Sequence, residues 1–389
     1  MERLVAFSYK LVANVDSGFE RYLHGQINWK NRLIGIVGPR GVGKTTLVLQ
    51  YIKKQLLQNE SLYITAEDIY FSDHRLIDLA DRFTKNSGRY LIIDEIHKYP
   101  DWSKELKLMY DYHPELQIVF TGSSVLDIQK GSSDLSRRAV VYSMQGLSFR
   151  EYLLFFQNLD VPVYTLKEVL EHKVNVNALS HPLPLFADYL KQGYFPFAIE
   201  DDYDIKLKQI INQTMETDIP IYAGMNVSTA RRLKQLLAII AKSVPFKPNM
   251  SKIAEIICAS RNNIADYLMY IEEAGLIAQL RSEPHGIKSL GKLEKVYLDN
   301  TNLMYSIQSE PANKGTVRET FLFNQLRNKH KVYASKSLDV KVEGVDIEVG
   351  GKNKSQRQLG SSPNAYVVKD DIEYGYQNVI PLWHFGLMY

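Results

Sequence analysis

Apolar residues in this chain fall into two rhythms, and their alternation predicts the fold. Short, mostly apolar runs at 33–37, 61–65, 90–93, 117–120 and 139–143 have the length of strands buried on both faces. Between them the spacing becomes helical. Leu47, Leu49, Tyr51 and Ile52 follow the first run, Leu76, Ile77, Leu79 and Phe83 follow the second, and 101–113 follows the third. Strands alternating with helices imply a parallel sheet covered on both faces. The lead-in, 1–32, carries Phe19, Tyr22, Leu23 and Ile27 at the spacing of a short helix, then Trp29 and Arg32.

From 146 to 225 helical spacing dominates, at 149–156, 166–170, 185–190 and 205–215, punctuated by Pro182, Pro184 and Pro196. This stretch is expected to form a small helical lid. Near Asn226 the pattern shifts. Leu233, Leu236, Leu237 and Ile240 share one face of a helix over 229–241. A second helix, 251–259, places Ile253, Ile256 and Ile257 inward, with the lone cysteine, Cys258, read as packing. Ser260 caps a third, 261–274, which Gly275 ends. Two strands, 276–281 and 294–298, flank a loop with Pro284, His285, Gly286 and Lys288, completing a winged helix-turn-helix. The tail gives a helix from about 316 and five strand-like pieces at 331–335, 339–342, 345–349, 365–368 and 378–380, with Tyr374, Tyr376 and Trp383 as packing residues. The expected domains are 1–225, 226–300 and 301–389.

The first apolar run leads straight into Gly38-Pro39-Arg40-Gly41-Val42-Gly43-Lys44-Thr45-Thr46, which fits G-x-x-x-x-G-K-[ST]. Strand, glycine-rich turn and helix aim backbone amides and a helix N-terminus at one point, which suits an anion. A chance glycine-rich turn fits the letters too, but not the flanking strand and helix. Lys44 is the residue for the β- and γ-phosphates of ATP, and Thr45 offers a hydroxyl to Mg2+. The third run ends in Asp94 and Glu95. Asp94 is assigned to the metal, with Thr45, and Glu95 to the general base for water. The fourth run ends in Thr121, Ser123 and Ser124, either a polar sensor of the γ-phosphate or a turn capping the next helix. Within Asp134-Leu-Ser-Arg137-Arg138, an arginine, assigned as Arg138, either serves as a finger on a neighbour's nucleotide or belongs to a solvated basic turn.

The loop, the LIIDEIH stretch, the FTGSS strand end, Gly-Leu-Ser-Phe-Arg-Glu at 146–151 and Gly-Tyr-Phe-Pro-Phe at 193–197 together resemble the prokaryotic AAA-type ATPases that carry a C-terminal domain of unknown function. The resemblance spans nearly the whole chain. It implies ATP binding, a sheet of order 5-1-4-3-2, and a winged-helix and restriction-endonuclease-like tail. It supplies no settled biological role.

Composition narrows the classes without choosing among them. At 389 residues two or three domains are expected. One cysteine rules out a disulfide framework and a cysteine metal cluster, and a net charge of +3 is too small to argue for nucleic acid. No run of about 18 apolar residues suggests a membrane span, and no leader is evident, so a cytoplasmic protein is expected. Double-stranded DNA is a candidate partner. Arg261, Asn262 and Asn263 head the third helix, and Arg231, Arg232, Lys234, Lys242, Lys247, Lys288, Lys292 and Lys295 could meet phosphates, while Asp266, Glu272 and Glu273 oppose them. A protein partner, or another copy of the chain, is the alternative. In the tail, Asp339 and Glu348 with helical Glu319 have the layout of a nuclease metal site, but Gly350 stands where a lysine is needed and Lys352 and Lys354 are displaced. A degenerate binding module is therefore the expectation there.

Overall fold

A computed structural model describes the chain apart from residues 124–134, 136, 177–178, 285–290, 309–311 and 356–363. Ser124 and Asp134, and the wing-loop residues His285, Gly286 and Lys288, lie outside the described residues. The rest divides into two compact units, Met1–Gln145 and Gly146–Tyr389.

The first unit is built on five parallel strands: β1 (Leu33–Val37), β2 (Ser61–Thr65), β3 (Tyr90–Asp94), β4 (Gln117–Gly122) and β5 (Val140–Ser143). Their order is β2-β3-β4-β1-β5, the expected 5-1-4-3-2 read from the other edge and the order of a P-loop NTPase sheet. β1 is buried throughout, whereas edge strand β5 is largely exposed. Phe120 fills the sheet's interior because Gly35 makes room: a Cβ at Gly35 would lie 2.6 Å from its ring. Among the described residues, α1 (Glu2–Asn14), α2 (Lys44–Gln55), α3 (Leu76–Lys85) and α4 (Trp102–Tyr112) flank the strands. Leu79, Phe83, Leu106 and Met109 pack into one core with Leu91, Ile93 and Ile118 of the sheet. In the lead-in the expected short helix is only a 3-10 turn, Tyr22–Gly25, and the main element, α1, lies upstream of it.

The second unit opens with α5 (Phe149–Gln157), and its Gly-Leu-Ser-Phe-Arg-Glu motif is in large part a helix start. Ser148 Oγ accepts from Glu151 N while the Glu151 carboxylate accepts from Ser148 N. Then come α6 (Leu166–Leu170), α7 (Pro182–Gln192), α8 (Tyr203–Gln213) and α9 (Ile219–Ala223), the last two joined through a π turn, Thr214–Asp218. Pro220 cannot donate to the carbonyl four residues back, a local reason for the irregular turn. The three expected helices follow as α10 (Val227–Ser243), α11 (Met250–Ile256) and α12 (Arg261–Glu273), and β6 (Ile277–Arg281) pairs antiparallel with β7 (Leu293–Leu298). Next are α13 (Thr301–Ile307), α14 (Lys314–Arg327) and a second five-stranded sheet of β8 (Val332–Ala334), β9 (Val340–Val342), β10 (Val345–Gly350), β11 (Ala365–Lys369) and β12 (Val379–Pro381), in sequential order.

The expected boundaries after 225 and 300 fall inside this second unit. Asn302 is the physical reason. Its side chain is buried; Oδ1 accepts from Gly193 N (2.9 Å), Tyr194 N (3.0 Å) and the Tyr203 hydroxyl (2.7 Å), and Nδ2 donates to the Tyr189 and Leu190 carbonyls. Phe186 meets Phe321 edge-on at 4.8 Å, and buried Asp299, paired with half-buried Arg327, lies beside Tyr194. The helices expected as a lid thus share their core with α13 and α14.

Smaller expectations also change. Cys258 is exposed, at φ 52° in a left-handed turn beyond α11, because that helix ends at Ile256, and Ile256 is itself exposed. Trp383 packs as expected, but Tyr374 and Tyr376 are exposed. Among the described residues no helix is long and apolar enough to cross a membrane.

Candidate functional site

Parallel strands place all their C-terminal ends on one edge, and the chemistry expected of the first unit gathers there. The loop from Gly38 to Gly43 leaves β1 and enters α2. Gly41 (φ 82°) and Gly43 (φ 98°), the N-cap of α2, adopt left-handed conformations open to glycine. Gly38 is required for a different reason: a Cβ there would lie 2.1 Å from the Met144 carbonyl oxygen. Pro39 and Arg40 are half-buried, Val42 is buried, and Thr46 is exposed in the first turn of α2. Lys44 is buried, and its ammonium donates to the carbonyls of Gly38 (2.8 Å) and Pro39 (2.9 Å), the loop's own backbone.

Across the edge, Asp94 is surrounded by hydroxyls. Thr45 Oγ1 donates to Oδ2 at 2.7 Å, Tyr63 donates to the same oxygen at 2.6 Å, and Thr121 donates to Oδ1. Burial, reinforced by Asp94, pushes the Tyr63 phenol far above its ordinary range, so it remains a donor. Glu95 takes a left-handed backbone, φ 50°, with its amide donating to Thr121 Oγ1. Its carboxylate accepts from Ser123 Oγ at 2.8 Å, and His97 Nδ1 lies 3.4 Å away. The structure therefore brings Thr45, Asp94, Glu95 and Ser123 together opposite the loop that carries Lys44.

Arg138 is placed elsewhere. It precedes β5 and pairs in bidentate fashion with Asp111 near the end of α4, both bonds 3.0 Å. Val140 is in register with Ile34, so Arg138 stands level with the start of β1, roughly 20 Å along the strand direction from Gly38. Its side chain is too short to reach this chain's own loop. Trp29, in the lead-in, is stacked on Tyr51 at 3.7 Å.

Sequence reasoning missed two residues. Tyr63 sits mid-strand, and only the β2–β3 pairing brings it beside Asp94. Arg21, in the lead-in, is buried and donates to the carbonyls of Val42 and Gln145. Its acceptors are backbone atoms, which leave no signature in the sequence.

Thr45 and Asp94 fit a small oxygen-seeking cation, since such ions take one or two protein ligands and complete their shell from phosphate and water. The left-handed glycines carry no Cβ, so the loop backbone at Gly41 and Gly43 is open to close approach by a ligand.

The other acidic group reads differently. Glu319 and Asp339 each lie 3.0 Å from the Lys295 ammonium, with the Tyr297 hydroxyl on Glu319 at 3.1 Å, and Glu348 pairs with Lys354 at 2.5 Å. Burial is the largest influence raising the Glu319 carboxyl, with Asp339 adding to it. Among the described residues no group of three His, Cys, Asp or Glu is placed to hold a metal. Lys295, expected at a DNA phosphate, is thus engaged, as are Lys247 with Glu294 (2.7 Å) and Lys234 with Glu216. Glu272, expected to repel phosphate, turns instead to β6, accepting from Gln279 N at 2.7 Å.

Residues 30–153 match a family described as an AAA domain, and residues 183–313 match a domain of unknown function (DUF8612). The first match covers the phosphate loop, Asp94, Glu95 and the whole five-stranded sheet, whose strand order is that of a P-loop NTPase. A comparison with curated proteins gave no match. Among solved structures, PCH-2 of C. elegans is similar at 16% identity, over 70% of this chain and 66% of that one, with a TM-score of 0.27. A structure reported for katanin self-assembly is similar at 12% identity, over 45% of this chain and 61% of that one, also with a TM-score of 0.27. The chain spans less than two thirds of either, and the fold assignment rests on the sheet order and not on these two likenesses.

Proposed function

We propose that this chain is an ATP-driven switch: it binds ATP with Mg2+ at the C-terminal edge of its parallel sheet, hydrolyses it, and changes how the modules of its second unit are presented. The observation that carries the reading is the Thr45–Asp94 contact of 2.7 Å opposite a loop whose buried lysine rests on its own carbonyls. In this reading Lys44 leaves Gly38 and Pro39 to neutralise the β- and γ-phosphates. Amides of the loop and of the first turn of α2, including Thr46, complete the cradle. Mg2+, held through Thr45 and Asp94, supplies charge neutralisation of the phosphates when bound. Glu95 orients and deprotonates the attacking water, while Ser123 and His97 fix the direction of its carboxylate. Tyr63 and Thr121 donate to the Asp94 carboxylate and hold it aimed. Arg138 acts as a finger only on a neighbouring copy's nucleotide, which makes assembly part of the proposal.

A second reading, in which the winged-helix module docks double-stranded DNA, draws on Arg261, Asn262 and Asn263, all exposed at the N-terminus of α12. Nuclease activity is not part of the proposal, because Lys295 and Lys354 already neutralise the acids that a nuclease metal needs.

The ATPase rate measured alone and against duplex and single-stranded DNA tests both readings. Turnover that needs Mg2+ and disappears in Lys44→Ala supports the switch. A wild-type chain that neither binds nor hydrolyses ATP removes it. Stimulation by duplex DNA that fades with salt assigns the second unit to DNA, and an unchanged rate favours a protein partner.

A further inference from the structure

Met144 and Gln145 close the first unit, and the chain passes into the second at Gly146. This short joint is tied to the phosphate loop at three points. Met144 N donates to the Val37 carbonyl at 2.7 Å. Gly38 lies so close beneath the Met144 carbonyl that no larger residue fits. Arg21 then bridges the two segments. One guanidinium nitrogen donates to the carbonyl of Val42 and the other, at 2.7 Å, to the carbonyl of Gln145. Arg21 and Val42 are both buried, at 5% and 0% exposure.

One tie holds the end of β1, and the other two sit where, on the nucleotide reading, a ligand acts on the loop. The Gly38 carbonyl accepts from Lys44 in this structure. A triphosphate that draws the ammonium away leaves that carbonyl without its donor, directly beneath Met144. The Val42 peptide lies between Gly41 and Gly43, the two residues whose left-handed geometry turns the loop inward. A guanidinium is a planar fork with several donors, so it can hold two carbonyls in a fixed relation, which an ammonium on a flexible stem does less well.

We propose that Arg21 is a positioning residue that sets the Val42 peptide of the phosphate loop and carries the loop's liganded state to Gln145, the joint between the two units. The inference rests on the nucleotide reading of the loop and adds to it a route by which occupancy leaves the first unit.

Amide hydrogen exchange of the full chain, with and without a non-hydrolysable ATP analogue and Mg2+, tests it, comparing wild type with Arg21→Met. In wild type, exchange should slow at residues 42–46 and change several-fold at 144–147. In Arg21→Met, analogue affinity should fall by about tenfold, the worth of one charge-assisted bond. At saturating analogue, residues 42–46 should still be protected while 144–147 no longer respond. Arg21→Lys keeps the charge but spans one carbonyl, so it should behave like the Met variant at 144–147 and replaces it if that variant does not fold. A response at 144–147 that survives in both variants overturns the proposal, as does a wild type protected at 42–46 but silent at 144–147. A wild type with no protection at 42–46 fails the nucleotide reading itself, a result distinct from the other two.

Discussion

Two clusters of acids in this molecule look alike in the sequence and differ in what surrounds them. Asp94 and Glu95 face hydroxyls, from Thr45, Tyr63, Thr121 and Ser123, and the nearby lysine is turned away onto carbonyls. Glu319, Asp339 and Glu348 face ammonium groups of the chain itself, Lys295 and Lys354. Neutral donors orient a carboxylate and leave its charge available to an incoming cation. An internal ammonium spends that charge inside the protein. The difference separates acids whose charge is open to an incoming cation from a half-buried ionic contact that fastens one element to another.

The comparison can be broken most directly at Lys44. Lys44→Ala should abolish measurable ATP binding, a loss of at least about a hundredfold by calorimetry or a fluorescent analogue, because a buried ammonium on phosphate is a strong charge-assisted contact. Unchanged binding would mean the loop is structural. Glu95→Gln should next lower turnover by about a hundredfold or more while ATP affinity stays near wild type, since only the proton-accepting step is lost. Equal losses in affinity and turnover would move Glu95 from base to binding residue. In the second cluster, Lys295→Met should cost about 3 kcal/mol or more in urea unfolding, because it strands two half-buried acids. Adding Glu319→Gln should recover part of that loss, and a Lys295→Met chain as stable as wild type would show that the contact fastens nothing.

The smallest effect concerns pH. Burial pushes His384 down to about 3, with His172 contributing. Its folded value lies below its unfolded one, so between pH 6.5 and 3 the unfolded chain binds the extra proton and stability falls with acid. Between pH 7 and pH 5 this should remove about 2 kcal/mol, and His384→Gln should flatten that part of the profile. An equal pH slope in both proteins would assign it to other groups.

What the sequence made legible follows from how local each signal is. β1, β3 and β4 stood out because a strand buried on both faces must be apolar at every position. The loop stood out because its geometry needs glycine at fixed places. The tail strands and the three helices between 227 and 273 lie close to where the periodicity put them, although the second of these helices ends early, at Ile256. α1 escaped notice because its buried stripe runs Leu4, Ser8, Val12, with a serine in the middle whose hydroxyl accepts from Tyr63 N at 3.0 Å. A polar residue that satisfies a distant strand cannot be told from a surface one by spacing. The extent of the second unit was hidden for a related reason, since Asn302 finds its partners about a hundred residues upstream. Arg21 and Lys295 are long-range in the same sense: Lys295, weighed for a phosphate, pairs with Glu319 and Asp339.

The resting position of Lys44 has a consequence for selectivity. Its ammonium already has two oxygen partners, so an arriving anion enters a competition and not a vacancy. On the nucleotide reading, an anion that binds here must offer the ammonium more than those two neutral carbonyls do, and an ion with several charged oxygens meets that demand better than one with a single charge.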